Sequence, residues 1–219
     1  SIIGKRIAYM SNTHSFFLTH TVGFTDRATS MSPHDVVTML NDLFSRFDSL
    51  VDHYDLNKVK TIGDCYMVTS IPSSDLEHDG CARVCRFALD LMKAVQAFNN
   101  TAPQHGHIQI RVGIACGQVV AGVVGTKRFL FDMWGDAVNV AARMEQHGLP
   151  GRIQTTKEVV DNIGRDFTFE CRGPLLVKGK GMMDTYLLKS AKDVELRRSV
   201  CQRWNPKPTP STRSESAII

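Results

Sequence analysis

Residues 58–69 read Lys58-Val59-Lys60-Thr61-Ile62-Gly63-Asp64-Cys65-Tyr66-Met67-Val68-Thr69. Two β-rich runs flank Gly63-Asp64, and a two-residue Gly-Asp step between such runs is a hairpin turn. Upstream, Ser32-Pro33-His34-Asp35 offers an N-cap, a proline at the first helical position and an acid at the third. Behind it Val36, Val37, Leu40, Leu43, Phe44, Phe47, Leu50 and Val51 recur at three- and four-residue spacing, one face of a helix of about five turns. Further upstream, Phe16-Phe17-Leu18 leads to Val22-Gly23-Phe24-Thr25, a strand running into a glycine turn. Downstream of the hairpin, Ala82, Cys85, Ala88, Leu89, Met92 and Val95 mark a second helix. Ile108, Ile110, Val112 and Ile114 alternate as in a half-buried strand, and Val119–Val124 reads as its partner strand. A helix is expected near Asp136–Gln146, then a Gly148/Pro150/Gly151 break and shorter elements to Leu188. The order β-α-ββ-α-β forbids an all-parallel sheet. It predicts an α+β fold, a ferredoxin-like mixed sheet with packed helices.

The 219 residues are 42% hydrophobic and 22% charged, which excludes disordered, collagen-like and membrane-spanning classes. A net charge of +4 is too slight to argue for a nucleic-acid partner. The longest nearly uncharged runs, such as Val119–Gly125, fall far short of the roughly 20 apolar residues of a spanning helix. No charged n-region followed by an apolar stretch is visible. The expected location is therefore cytoplasmic, or the cytosolic part of a larger membrane-attached protein whose other segments are not shown. Six cysteines (Cys65, Cys81, Cys85, Cys116, Cys171, Cys201) include no CxxC pair and read as reduced thiols. Residues 1–14 are poorly patterned and read as a lead-in, and 15–189 as one domain. Residues 190–219, basic and then Pro/Ser-rich, read as a disordered tail. Its closing Ser216-Ala217-Ile218-Ile219 is a weak match to peptides that dock on a sheet edge.

Taken singly, the polar residues are ordinary. Asp64 sits on a hairpin tip, where aspartate is common because it bonds the local backbone. Val22–Thr25 offers backbone N–H groups that could cradle phosphate, but many loops contain one glycine. Asn139 and Arg143, four apart, share one helix face. Alone they would be a solvated face, Lys178 a surface lysine and Asp132 a loop acid.

The combination and order of four blocks change the weight of each. Val59–Met67 resembles the metal-bearing hairpin of the class III nucleotidyl cyclases. Arg111-Val112-Gly113-Ile114, followed by Gly117–Gly125, is similar to that family's next stretch. Phe131-Asp132-Met133-Trp134-Gly135-Asp136-Ala137-Val138-Asn139-Val140-Ala141-Ala142-Arg143-Met144 resembles its most specific signature. Val177-Lys178-Gly179-Lys180-Gly181 resembles its lysine loop. The resemblance covers residues 15–189 and implies a class III cyclase-like sandwich and phosphorus–oxygen lyase chemistry. A purine nucleoside triphosphate would lose pyrophosphate as its 3′-oxygen attacks the α-phosphorus in line, with two divalent cations, Mg²⁺ or Mn²⁺, assisting.

The same resemblance implies roles. Asp64 would bind metal, and the backbone of Val22, Gly23, Phe24 and Thr25 would wrap the phosphates. Asn139 would orient the ribose, Arg143 would neutralise charge on the α-phosphate, and Lys178 would hold the terminal phosphates. Lys60 and Asp132 match the adenine-selecting pair: lysine donates to N1 and the carboxylate accepts from the 6-amino group. Guanylyl members carry glutamate and a small residue there, so ATP is expected over GTP. The site is expected between two cyclase domains, in a head-to-tail homodimer or a heterodimer.

One position departs from the pattern. The family's first block reads Phe-x-Asp-Ile-x-Gly-Phe-Thr, and here His20 replaces its metal aspartate. Imidazole suits Mn²⁺ better than Mg²⁺, so His20 would shift the preference toward Mn²⁺. It would otherwise mark a degenerate module that dimerises with, and regulates, a competent partner. A guanylyl cyclase is a third reading, disfavoured by Lys60 and Asp132.

Overall fold

The structure, a computed structural model, describes residues 8–70, 79–124 and 130–192. In chain order its elements are β1 (Ala8–Thr21), α1 (Phe24–Ser30), α2 (Pro33–His53), β2 (Asn57–Ile62), β3 (Cys65–Thr69) and α3 (Gly80–Thr101). There follow β4 (Ile110–Val124), β5 (Leu130–Trp134), α4 (Asp136–Gln146), β6 (Ile153–Thr156), α5 (Lys157–Ile163), β7 (Phe167–Val177) and β8 (Gly181–Ala191). The described strands form one eight-stranded sheet in the order β2-β3-β1-β4-β6-β8-β7, with β5 paired to β4 off this path. β4 and β6 run parallel, while the pairs that flank them, β1 with β4 and β6 with β8, are antiparallel. The expected mixed α+β sheet is what forms.

Period-two alternation sends neighbouring residues of β1 and β3 to opposite faces. Phe17, Tyr66 and Val68 join a core with Leu43 and Phe47 of α2, Phe87 and Leu91 of α3 and Val159 of α5. Phe16, Leu18, Cys65 and Met67 face the other way, onto Val140, Ala141 and Met144 of α4. Each such buried side chain contributes about 1.5–3 kcal/mol, so two separate apolar layers clamp the sheet. α4 alone covers the second layer among the described helices, and it carries the candidates Asn139 and Arg143.

Local signals explain the best-read elements. Ser32 Oγ accepts the Asp35 amide at 3.1 Å and Pro33 opens α2. Met39, Leu43, Phe47 and Val51 form its buried stripe, whereas Val37, read into that face, is 66% exposed. The hairpin turns at Gly63, whose φ of 58° lies in the left-handed region.

Three expectations are corrected. Ala8–His14, assigned to the lead-in, belong to β1 and pair with Gly117–Gly122 of β4. Ile108–Ile114 and Val119–Val124, read as two strands, are joined in the single strand β4, which starts at Ile110. Gly117 makes no turn there. Its φ of 159° is extended backbone, and the missing side chain admits Ala137, whose Cβ would lie 3.2 Å from a Cβ at Gly117. The expected turn at Val22–Thr25 opens directly into α1, a helix with no buried residue and so no apolar period to reveal it. Cys65, Cys81, Cys85, Cys116 and Cys171 are free thiols. Cys201, the expected disorder of the tail beyond residue 192, and Ser216–Ile219 lie outside the described residues. Among the described residues, no helix is long and apolar enough to cross a membrane.

Candidate active site

The candidate residues fall into three clusters. The first is a charge pair. Lys60, just past a register shift in β2, donates from Nζ to both oxygens of Asp132 on β5, at 2.8 and 2.6 Å. Asp132 Oδ1 also accepts the Met133 amide at 2.8 Å, which holds the carboxylate in place. Both side chains are largely buried, at 27% and 15% exposed, so the pair is worth more than a surface bridge.

The second cluster is a cavity of about 420 Å³ between α4 and the β7–β8 turn. Asn139 and Arg143 line it from one face of α4, and Lys178 lines it from the turn, with Asp136 and Lys180 beside them. The spacing argument for Asn139 and Arg143 therefore puts both beside the same space. A larger cavity of about 560 Å³ lies between α3 and the ends of β6 and β8. Lys93 there is paired with Asp90, and Arg152 and Lys189 with Glu170, so its cations are already committed.

The third cluster is where β1 ends. Asp64 Oδ2 accepts the Thr21 amide at 2.8 Å, tying the hairpin tip to the start of the Val22–Thr25 loop. Val22 N–H donates to Gln109 O at 2.8 Å and is thus spent. Gly23, at φ 65°, Phe24 and Thr25 precede the first α1 hydrogen bond, from Arg27 N–H to Gly23 O at 3.1 Å. Their amides need no partner inside the helix.

His20 takes part in a different arrangement. Alternation along β1 turns it toward α4, where its Nδ1 lies 3.0 Å from Glu145 Oε2. That contact is an ion pair off the axis of a directed hydrogen bond. Glu145 Oε1 accepts Arg111 Nε at 2.9 Å, and its side chain is 1% exposed. Its two cations hold the carboxyl below its ordinary range despite burial. In turn, Cys65 and Glu145 raise His20 to about 10, against the opposing effect of burial. In this arrangement Glu145 engages His20 Nδ1 and competes with a metal for it. Among the described residues no group of three or more His, Cys, Asp or Glu could hold a metal ion. Asp64, half-buried beside Thr21, is a carboxylate that could contribute to one.

Sequence reading missed Glu145 and Arg111. Arg111 is the register partner of His20 on β4. Glu145 reaches both because α4 crosses directly over Gly113, where a Cβ would stand 2.2 Å from Ala141 O and 2.4 Å from Glu145 N.

The model of the adenylate and guanylate cyclase catalytic domain family matches residues 8–190. The chain belongs to that family. This cyclase domain is 46% identical over 168 residues to an adenylate cyclase of Mycobacterium tuberculosis, covering 76% of the chain and 37% of the relative. It is 39% identical over 185 residues to the receptor-type guanylate cyclase gcy-28 of Caenorhabditis elegans, covering 83% of the chain and 14% of that protein. The guanylate cyclase domain of RhGC from Catenaria anguillulae, in complex with GTP, superposes with a TM-score of 0.79 at 29% identity, over 84% of this chain and 100% of that one. The cyclase domain thus spans little more than a third of the length of the mycobacterial relative and a smaller share of the worm one.

Proposed function

We propose that this cyclase domain converts ATP to 3′,5′-cyclic AMP and pyrophosphate. The observation that carries the purine choice is the Lys60–Asp132 pair. Its ammonium matches the acceptor at adenine N1 and its carboxylate matches the 6-amino donor, whereas guanine presents the reverse pattern. Asn139 would orient the ribose, and Arg143 and Lys178 would meet the phosphates in the cavity they share. The amides of Gly23, Phe24 and Thr25 would complete the phosphate contacts. The 3′-oxygen attacks the α-phosphorus in line and pyrophosphate leaves. A divalent cation held at Asp64 would supply charge neutralisation for the developing alkoxide and the leaving oxygens.

A second cyclase domain, from a like or an unlike chain, would complete the site. Phe131 and Trp134, 42% and 43% exposed, flank Asp132, with Val124 of β4 also exposed. Apolar surface beside a charged pair suits burial under a partner. The reading is tested by measuring cyclic AMP from ATP and cyclic GMP from GTP with the purified chain, with Mg²⁺ and with Mn²⁺. Faster turnover of GTP would falsify the purine assignment.

The His20–Glu145 contact favours a second reading, a degenerate half that lends its purine side to a competent partner. Assaying His20→Asp beside the natural chain separates the two. Activity only in His20→Asp marks the natural chain as degenerate, and silence of both with both metals ends the enzyme reading.

A further inference from the structure

The cavity that holds Asn139, Arg143 and Lys178 contains one acid among its lining residues, Asp136, in the first turn of α4. A lone carboxylate there is a problem for any polyphosphate site. It repels the ligand, and it is a ready partner for the cations that should face the ligand. In the structure its Oδ2 is taken by Lys180 Nζ. Lys178 and Lys180 are two positions apart on one tight turn. Lys180 N–H donates to Val177 O at 2.9 Å, and Gly179, at φ 82°, has the positive angle that a type II turn requires at its third residue. Val177, 1% exposed, sinks the turn's first residue into the core beneath α4. The turn is therefore anchored below by Val177 and tied sideways to α4 by Lys180. Among the described residues, no acid pairs with Lys178.

We infer that Lys180 is a positioning residue: by occupying Asp136 it keeps that carboxylate from capturing Lys178, so the cavity presents Lys178 and Arg143 to a triphosphate. This deepens the nucleotide reading and rests on it. Asp136 is then a decoy that must be neutralised, and Lys180 is the neutralising group, acting without touching the ligand. The alternative is that Lys180 binds phosphate itself. The two differ in what removing Asp136 does.

The test uses the full chain, isothermal titration with inorganic triphosphate and with ATP, and three variants: Lys180→Met, Asp136→Asn and the double variant. Lys180→Met is expected to weaken triphosphate binding about fivefold, the upper end of what one exposed charge contributes. Adding Asp136→Asn to it is expected to restore binding to within about twofold of the natural chain, because the decoy is gone. Both side chains are exposed, and circular dichroism checks that each variant is folded. Binding by Lys180→Met equal to the natural chain overturns the inference, and so does a loss that Asp136→Asn fails to relieve. A natural chain that binds neither ATP nor triphosphate overturns the nucleotide reading together with this inference. Normal binding by the natural chain with no rescue in the double variant overturns the inference alone.

Discussion

Nδ1 of His20 stands 3.0 Å from Oε2 of Glu145, so the imidazole is tied to a buried acid on the helix above it. The imidazole, raised to about 10 from an ordinary 6.5, shares that acid with Arg111. This cluster assembles two cations around one carboxylate, the inverse of a metal site, in which carboxylates surround a cation.

The His20 shift has a sign that can be measured. Its folded value lies above its unfolded one, so its contribution to stability is full below pH 6.5, declines as pH rises, and is lost above about 10. Urea unfolding of the natural chain and of His20→Gln, at pH values from about 6 to about 10, should show a gap in stability that closes with rising pH. A gap that stays constant or widens would contradict the assignment.

Replacing His20 by aspartate puts a second carboxylate beside Glu145 with only Arg111 between them. Without divalent cations, His20→Asp should melt below the natural chain, since like charges at close range oppose folding. Mn²⁺ or Mg²⁺ should recover part of that loss, while the natural chain should respond less. Differential scanning fluorimetry with and without each ion reads both effects.

Glu145→Gln leaves two cations facing an amide in a site where the acid was 1% exposed. Arg111 and His20 are each about a third exposed, so water softens the effect. A loss of about 1–3 kcal/mol is expected from equilibrium unfolding.

Gly113→Ala tests how α4 is seated. The added methyl would meet Ala141 O and Glu145 N, both backbone atoms that cannot turn aside. Overpacking of this kind costs about 1–3 kcal/mol. Because Asn139 and Arg143 ride on the same helix, nucleotide binding should weaken as well. A fully stable variant with unchanged affinity for ATP would show that α4 can lift without consequence.

Purine choice is tested by exchanging the pair itself. Lys60→Glu with Asp132→Cys should lower the ATP-to-GTP ratio of kcat/KM by about 1–3 kcal/mol in discrimination, or roughly 5- to 150-fold. Steady-state assays on both substrates give the ratio.

Much of the fold was legible because its signals are local. The Ser32 cap, the Gly63-Asp64 turn and the bounds of α4 each depend on neighbours within a few residues. β4 was misread as two strands because Gly117 falls between its two apolar runs, although that glycine lets α4 approach the sheet. That role is invisible until the helix is in place. The same holds for the site. The four-residue spacing of Asn139 and Arg143 announced a shared face. No spacing announces that Glu145 of α4 meets His20 of β1, because that contact depends on strand register and on a glycine in a third element. Lys180 was within a block already singled out, but its partner Asp136 lies in a different block, so the pairing emerges only in three dimensions.

On the proposed reading, the Lys60–Asp132 contact gives base recognition an unusual starting point. Before any nucleotide arrives, the two groups already bond each other, Lys60 Nζ to both oxygens of Asp132. A purine entering there therefore has to replace a bond on each side, and gains only if both replacements succeed. A base that matches one group and offends the other faces a closed door: the lysine and the aspartate return to each other, and the intruder competes against the protein's own resting state. Discrimination of this kind works by exchange, so its strictness depends as much on how firmly the empty pair holds as on how well adenine fits.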